Sequence, residues 1–553
     1  MDDTQSSGVE SQNLCSKRKR GAWISFPFII GTVAGLTLGG AGVMGNLIVY
    51  LIREFNIKSI SATQIANVVN GTTFLFPFVG AIIADSFYGS FPVALVSSCL
   101  SLLGTVVLTL TATINSLRPP HHQCNDGQNL CNNKPPSSFQ YTVLYIGIFL
   151  VAIGLGGTRF TTATLGANQF DKPEHQGVFF NWFFFIFYVA SVFGSTGLVY
   201  IQEYVSWGLG FGICGVITLI GIVTFLLGCR FYRYDKPQGS PLLELARVLV
   251  ATIRKWKCQL SSTTKDDYYN GHDGMVSLML PTKRLRFFNR AALIKDGDLQ
   301  SDGLIEKPWN LCTVEHVENF KTTIGIIPLW TSSIFLGTPI GILGSLSVLQ
   351  VLAMDRHLGP HFQVPAGSMT VIILISTSIF LPLLDRVLYP AWHKVTGKSL
   401  SPLRRIGLGH VFNVLAMAVS ALVESKRLKV AHGQRLQEGS NSIVDMSFLW
   451  LLPQLVLVGI GEAFHFPAQV AFYYQQLPPS LRTTSTAMIS LLIAIAFYLS
   501  TALIDQVRRI THWLPDDINY GRVDNLYWTL VVLGVINFGY YILCSTLYKY
   551  QNV

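Results

Sequence analysis

Charged side chains are scarce in this sequence: Asp, Glu, Lys and Arg make up 13% of 553 residues. A soluble chain carries about a quarter, so a soluble globular protein is excluded. Metal-binding spacing is missing too. The nine cysteines include no CxxC or Cys/His pairing, and most sit singly in apolar runs, where a thiol behaves as a small hydrophobe. Cys124 and Cys131 are the exceptions. They share the polar stretch CNDGQNLC, and would form a local disulfide if that loop is extracellular. No nucleophile–base arrangement, phosphate loop or cluster of metal ligands is visible, so neither an enzyme nor a cofactor is expected. Gly154-x-Gly156 follows no strand, which excludes a dinucleotide loop. The polar first 20 residues and the long apolar run after them do not read as a cleaved leader.

What the sequence has in abundance is apolar length. Half of its residues are hydrophobic, gathered into runs of the roughly 20 residues that cross a bilayer as a helix. Six runs lie near 24–51, 63–84, 91–114, 141–165, 181–202 and 209–229; six more lie near 322–352, 367–388, 405–424, 447–468, 484–506 and 527–548. The expected fold is an all-α polytopic membrane protein, with 12 transmembrane helices in two six-helix halves, 21–229 and 322–548. Residues 1–20 and 549–553 are polar tails, and 230–321 is a basic linker. Within the linker, Leu242 to Leu260 has the spacing of an amphipathic helix, while Ser261 to Gly303 reads as flexible.

The net charge of +10 resides mostly between the runs and at the ends. That is the pattern of cytoplasmic loops, not of a nucleic-acid-binding surface. Both termini and the linker are therefore expected in the cytoplasm. Lys426, Arg427, Lys429 and Arg435 then face outward against the rule, partly offset by Glu424, Glu438 and Asp445. Two six-helix halves joined by a linker match the parallel repeat of major facilitator transporters. Asp85 and Asp385 support a repeat, since they close the second and eighth runs. Six glycines in the first run, Gly31, Gly35, Gly39, Gly40, Gly42 and Gly45, permit either close packing or bending.

One permanent cation lies within a membrane-length run. Arg159 ends the stretch Gly154-Leu-Gly-Gly-Thr-Arg159, and a charge so placed lines a substrate or ion path unless it snorkels to the headgroups. This stretch, with Gly166-Ala-Asn-Gln-Phe-Asp171, resembles the GxGGIKP…GADQFD signature of the proton-coupled oligopeptide transporter family, in its plant nitrate/peptide branch. Further resemblances follow in the family's order: Phe179-Phe-Asn-Trp182, Pro308-Trp-Asn-Leu-Cys-Thr-Val-Glu-His-Val-Glu318, Ile327-Pro-Leu-Trp330, and Glu462 with Phe472-Tyr-Tyr-Gln-Gln-Leu-Pro478.

Two departures set the chain apart. Counting back from Asn46-Leu-Ile-Val-Tyr-Leu51, the family's first-helix ExxER positions fall on Val33, Leu36 and Thr37, so both carboxylates are gone. The family's fourth-helix lysine position holds Arg159, which cannot give up its proton. The first departure resembles the nitrate excretion transporter subgroup.

The resemblance implies a central cavity lined by the first, fourth, seventh and tenth helices. Arg159 and Glu462 then occupy equivalent places in the two halves. They are expected to form a gate pair, closed when the cavity faces out and broken when it faces in; separate local partners are the alternative. His465 is a candidate to titrate with Glu462, against an ordinary hydrogen-bonded histidine. A guanidinium offers two N–H groups to planar nitrate, and Asn46, Tyr50, Thr37, Thr158 and Thr161 are candidate donors beside it. The seventh-helix histidine of the family's nitrate importers aligns with Ile340.

An inside-negative membrane drives anions out with ~2.3 kcal/mol per charge per 100 mV, so efflux needs no proton coupling. The expected partners are the lipid bilayer and a small inorganic anion, nitrate first and chloride second, exported at the plasma membrane. A proton-coupled importer of nitrate, peptides or a plant metabolite stays open, as do a non-transporting sensor and self-association into a homo-oligomer.

Overall fold

The computed structural model describes residues 21–120, 135–234, 241–258, 267–271, 280–295, 297–300, 304–434, 443–476 and 482–548. Cys124, Cys131 and both polar tails lie outside the described residues. Among the described residues, 12 helices are long and apolar enough to cross a membrane. Spans 1 to 6 are Ala22–Gly45, Ser59–Tyr88, Ser90–Thr113, Ser138–Ala167, Val178–Tyr204 and Trp207–Arg230. Spans 7 to 12 are Val314–Leu352, Ala366–Thr396, Pro402–Gly433, Phe448–Tyr473, Met488–Ile510 and Val523–Leu547. The end of the bundle where span 1 starts and the linker joins is called the linker end here, and the opposite one the far end.

Span 1 owes its packing to its glycines. A Cβ on Gly35 would come within 2.9 Å of the Gly221 Cα and 3.0 Å of the Ile217 carbonyl oxygen on span 6, so only a bare backbone fits. Gly39 meets Thr218 and Cys214 of span 6, and Gly40 faces Leu155 of span 4. The stripe therefore serves contact. Span 5 contains a five-residue π-helical turn at Gly194–Leu198; span 2 ends in one, Ala84–Tyr88, and span 8 contains one, Leu384–Leu388, before its last two turns. Asp85 and Asp385 take the second place of the turns in spans 2 and 8.

Several limits differ from the apolar pattern because caps and buried pairs extend the helices. Ser137 and Gln140 form a reciprocal capping box that starts span 4 at Ser138. Thr313 accepts from the His316 amide at 3.2 Å, so span 7 starts at Val314, inside the stretch expected to be linker. Span 9 continues past 424 to Gly433. Arg427 and Glu424 are wholly buried there and make a two-pronged ion pair, at 2.7 and 2.8 Å. Gln350 of span 7 donates to Glu424 at 2.7 Å, and Arg427 donates to Asn519 at 2.5 Å. Arg427 is thus no outward-facing loop charge, because neutralisation inside the half lets the helix run on.

Between the halves a helix covers Pro241–Arg254, shorter at its end than the expected Leu242 to Leu260. Its Val248 and Ala251 pack against Tyr268, Ala291, Ala292 and Cys312. Lys255 pairs with Asp298 at 2.7 Å. The described part of Ser261 to Gly303 is therefore folded onto the helix, since its apolar residues find that buried face.

The halves join at the far end. Arg356 pairs with Glu203 at 2.7 Å and Lys58 with Asp516 at 2.7 Å. Asn67 donates to Ser345 at 3.3 Å, and Tyr204 to Gln363 at 3.2 Å. Deeper in the bundle, Phe74 of span 2 stacks on Phe497 of span 11 with centroids 5.9 Å apart.

Candidate functional site

A cavity of about 130 Å³ lies among spans 1, 2, 4 and 5, all in the first half. Arg159 lines it. The guanidinium carbon lies 4.9 Å from the ring centroid of Phe74 and 4.7 Å from that of Phe187. Ring faces attract a cation and hold its plane, but they return no negative charge. Among the described residues no carboxylate pairs with Arg159.

The reason stands across the cavity. Val33, Leu36 and Thr37 line the same space, and these are the positions at which the resembled family carries its first-helix charges. An apolar pair and a hydroxyl stand where acids would neutralise the arginine. A buried charge without a partner is costly, which makes this guanidinium a strong potential well for an anion.

Hydrogen bonding narrows the choice of further donors. Thr158 gives its hydroxyl proton to the Gly154 carbonyl at 3.0 Å, and Thr162 gives its own to Thr158 at 2.6 Å. Thr73 donates to Val69 at 2.9 Å and Ser191 to Phe187 at 2.7 Å. These hydroxyls are committed to backbone, as is common for Ser and Thr within helices. Thr37 and Asn70 also line the cavity, with no such commitment among the described residues. Asn70 belongs to none of the stretches that the sequence marks as candidate site. Its neighbours gave no hint that span 2 would turn it toward Arg159.

Three expected site residues are elsewhere. Span 1 breaks at Asn46, whose φ of −115° and ψ of 12° lie outside the helical region. The following turn, Leu47–Arg53, lies beyond the cavity toward the far end. Asn46 is buried against Gly367 of span 8, and Tyr50 shares a hydrogen bond with Thr111 at 3.0 Å among Phe55, Trp207 and Phe211. Thr161 donates to Gly157 at 2.5 Å and does not line the cavity, because two residues along a helix turn it away from Arg159.

Glu462 and Arg159 form no ion pair in this conformation. Thr377 of span 8 donates to the Glu462 carboxylate at 3.3 Å. Tyr188 of span 5 lies within electrostatic reach of both charges, and nothing in the sequence marked it. His465 turns instead toward span 9, against Gly409, and its ring nitrogens have no hydrogen-bond partner. It is neither a cavity residue nor bonded to Glu462.

The stretch after Arg159 that resembles the family signature acts as a clasp. Gln169 accepts from the Arg233 amide at 2.8 Å and donates to its carbonyl at 3.1 Å. Its own carbonyl accepts from Ala22 at 2.8 Å, and Asp171 pairs with the Arg233 side chain at 2.7 Å. The segment thus joins span 4 to the ends of spans 1 and 6.

Comparison with known proteins agrees with this architecture. The family profile described as the POT family matches residues 91–520. Protein NRT1/PTR FAMILY 2.7 of Arabidopsis thaliana is 52% identical over 98% of this chain and 95% of its own length. Protein NRT1/PTR FAMILY 2.6 of the same plant is 53% identical over 97% and 95%. A crystal structure of an auto-inhibited POT family peptide transporter superposes with a TM-score of 0.69 at 17% identity, covering 96% of this chain and 99% of the other.

Proposed function

This chain belongs to the POT family of membrane transporters, and on that premise we propose that it exports a small monovalent anion, nitrate in the first place. The observation that carries this reading is Arg159: a guanidinium fixed between two rings, open to a cavity, with no carboxylate among its described neighbours. A planar oxyanion takes two N–H groups of the fork, with Thr37 and Asn70 available for its third oxygen or its rim. A zwitterionic peptide needs a carboxylate beside the arginine to hold its amine. Val33 and Leu36 offer none.

The basic residues of the linker support a cytoplasmic linker end. The far-end contacts then hold the exterior side shut, and the anion loads from within. In the outward-facing state Arg159 and Glu462 approach each other beside Tyr188, which displaces the anion. Membrane potential supplies the driving force, and the plasma membrane is the expected site.

The test uses proteoliposomes loaded with labelled nitrate under an inside-negative potassium diffusion potential. Efflux should proceed without a proton gradient, and Arg159→Ala should slow it at least about tenfold, the loss of one charge-assisted contact. Strict dependence on an inward proton gradient, or full flux in Arg159→Ala, would overturn the reading.

A further inference from the structure

The far-end contact between the halves has an unusual charge count. One carboxylate oxygen of Glu203, at the end of span 5, accepts from Arg53 at 3.0 Å and from Arg356 at 2.7 Å. The Glu203 side chain is 1% exposed and that of Arg356 9%. Arg53 belongs to the first half and Arg356 to the loop between spans 7 and 8, so Glu203 bridges the halves.

The neighbouring acids are engaged elsewhere. Glu54 pairs with Arg118 at 2.9 Å. Asp355 accepts from the His357 ring at 2.6 Å, and hydrogen bonds from His357 hold its carboxyl below the ordinary range. Two guanidinium groups therefore share a single carboxylate.

The surrounding interface is polar yet incompletely bonded. The other Glu203 oxygen, both polar atoms of the Asn46 side chain and the Ser368 hydroxyl are buried with no hydrogen-bond partner. Each such group loses its hydration on closure without gaining a partner. An interface made this way gains hydration when the halves part, and so is suited to line a path in the open state.

We propose that Arg356 forms a second anion site at the far mouth, and that Glu203, held by Arg53, is the tethered carboxylate which fills it while the mouth is shut. The proposal rests on the reading that the cargo is an anion. On opening, Glu203 stays with Arg53 in its own half, and Arg356 leaves without a counter-charge. A monovalent anion then takes the place of Glu203 on Arg356. Anions on the far side bind only the open mouth and favour it by mass action. Glu203 thus sets how readily the mouth opens, while Arg159 sets affinity at the inner cavity.

The experiment measures the mouth directly. Spin labels go on Val205→Cys and Leu358→Cys, both at exposed positions, in a cysteine-depleted full-length chain in lipid nanodiscs. Replacing gluconate by nitrate or chloride should raise the population at the longer distance. Glu203→Gln should raise it about tenfold or more without any added anion, since an ion pair is broken. Arg356→Gln should abolish the anion response. The exchange of Glu203→Arg with Arg356→Glu should restore the short distance, which a merely misfolded variant would not. An unchanged distribution in Glu203→Gln, or an anion response retained in Arg356→Gln, overturns the proposal. Nitrate flux that needs Arg159, with a mouth indifferent to anions, sinks this proposal alone. A mouth that responds to anions in a chain without nitrate flux sinks the export reading alone.

Discussion

Restoring a carboxylate to span 1 tests the central electrostatic argument most directly. Thr37 lines the cavity together with Arg159, so Thr37→Glu places an acid within the same small space. A sphere of about 130 Å³ is roughly 6 Å across. Two unit charges at that separation attract by about 3 kcal/mol at an effective dielectric constant near 20. The new carboxylate competes with the transported anion for the guanidinium. The half-saturation concentration for nitrate on the linker side should therefore rise about a hundredfold, since each 1.4 kcal/mol is a factor of ten. Thr37→Gln has nearly the same shape without the charge, and should shift the constant by no more than a few-fold. Initial rates of labelled nitrate efflux against internal nitrate, from vesicles of matched protein content, give both numbers. A Glu variant with the same half-saturation as the Gln variant would refute the claim that Arg159 holds the anion.

Other consequences follow from the packing. Phe187→Leu removes one ring face from Arg159; nitrate affinity in the same efflux assay should weaken by about 0.5–2 kcal/mol. Arg427→Met leaves Glu424 buried and unpaired, so thermal melting in detergent should show a loss of about 3–5 kcal/mol, whereas adding Glu424→Gln should recover most of it. Gly154→Ala drives a methyl group into the Ser101 backbone, while at Gly80 the nearest atoms are 3.7 Å away. The first should lower the melting temperature through about 1–3 kcal/mol of overpacking, and Gly80→Ala should leave it nearly unchanged.

The architecture was legible in the chain because a bilayer imposes length. A helix must be about 20 apolar residues long to satisfy its backbone in lipid, so 12 runs mark 12 spans whatever their packing. The same logic singled out Arg159, a charge that composition alone makes expensive. Absence was legible too: Val33, Leu36 and Thr37 announce that span 1 brings no acid to the cavity.

Which polar groups share that cavity was decided only by tertiary structure. Asn46 and Tyr50 are close to Thr37 in sequence, yet the break at Asn46 carries them to the far end. Asn70 of span 2 comes into the cavity from a distance that no local pattern encodes, and Tyr188 of span 5 comes within electrostatic reach of Arg159 and Glu462 in the same way. Arg427 has the sequence setting of a loop charge, yet Glu424 and Asn519 bond it inside the second half and Gln350 bonds Glu424 in turn. Hydrophobic length is a property of one segment and survives in its letters. Neutralisation, hydrogen-bond commitment and the facing of side chains depend on which helices meet, and the fold alone settles that.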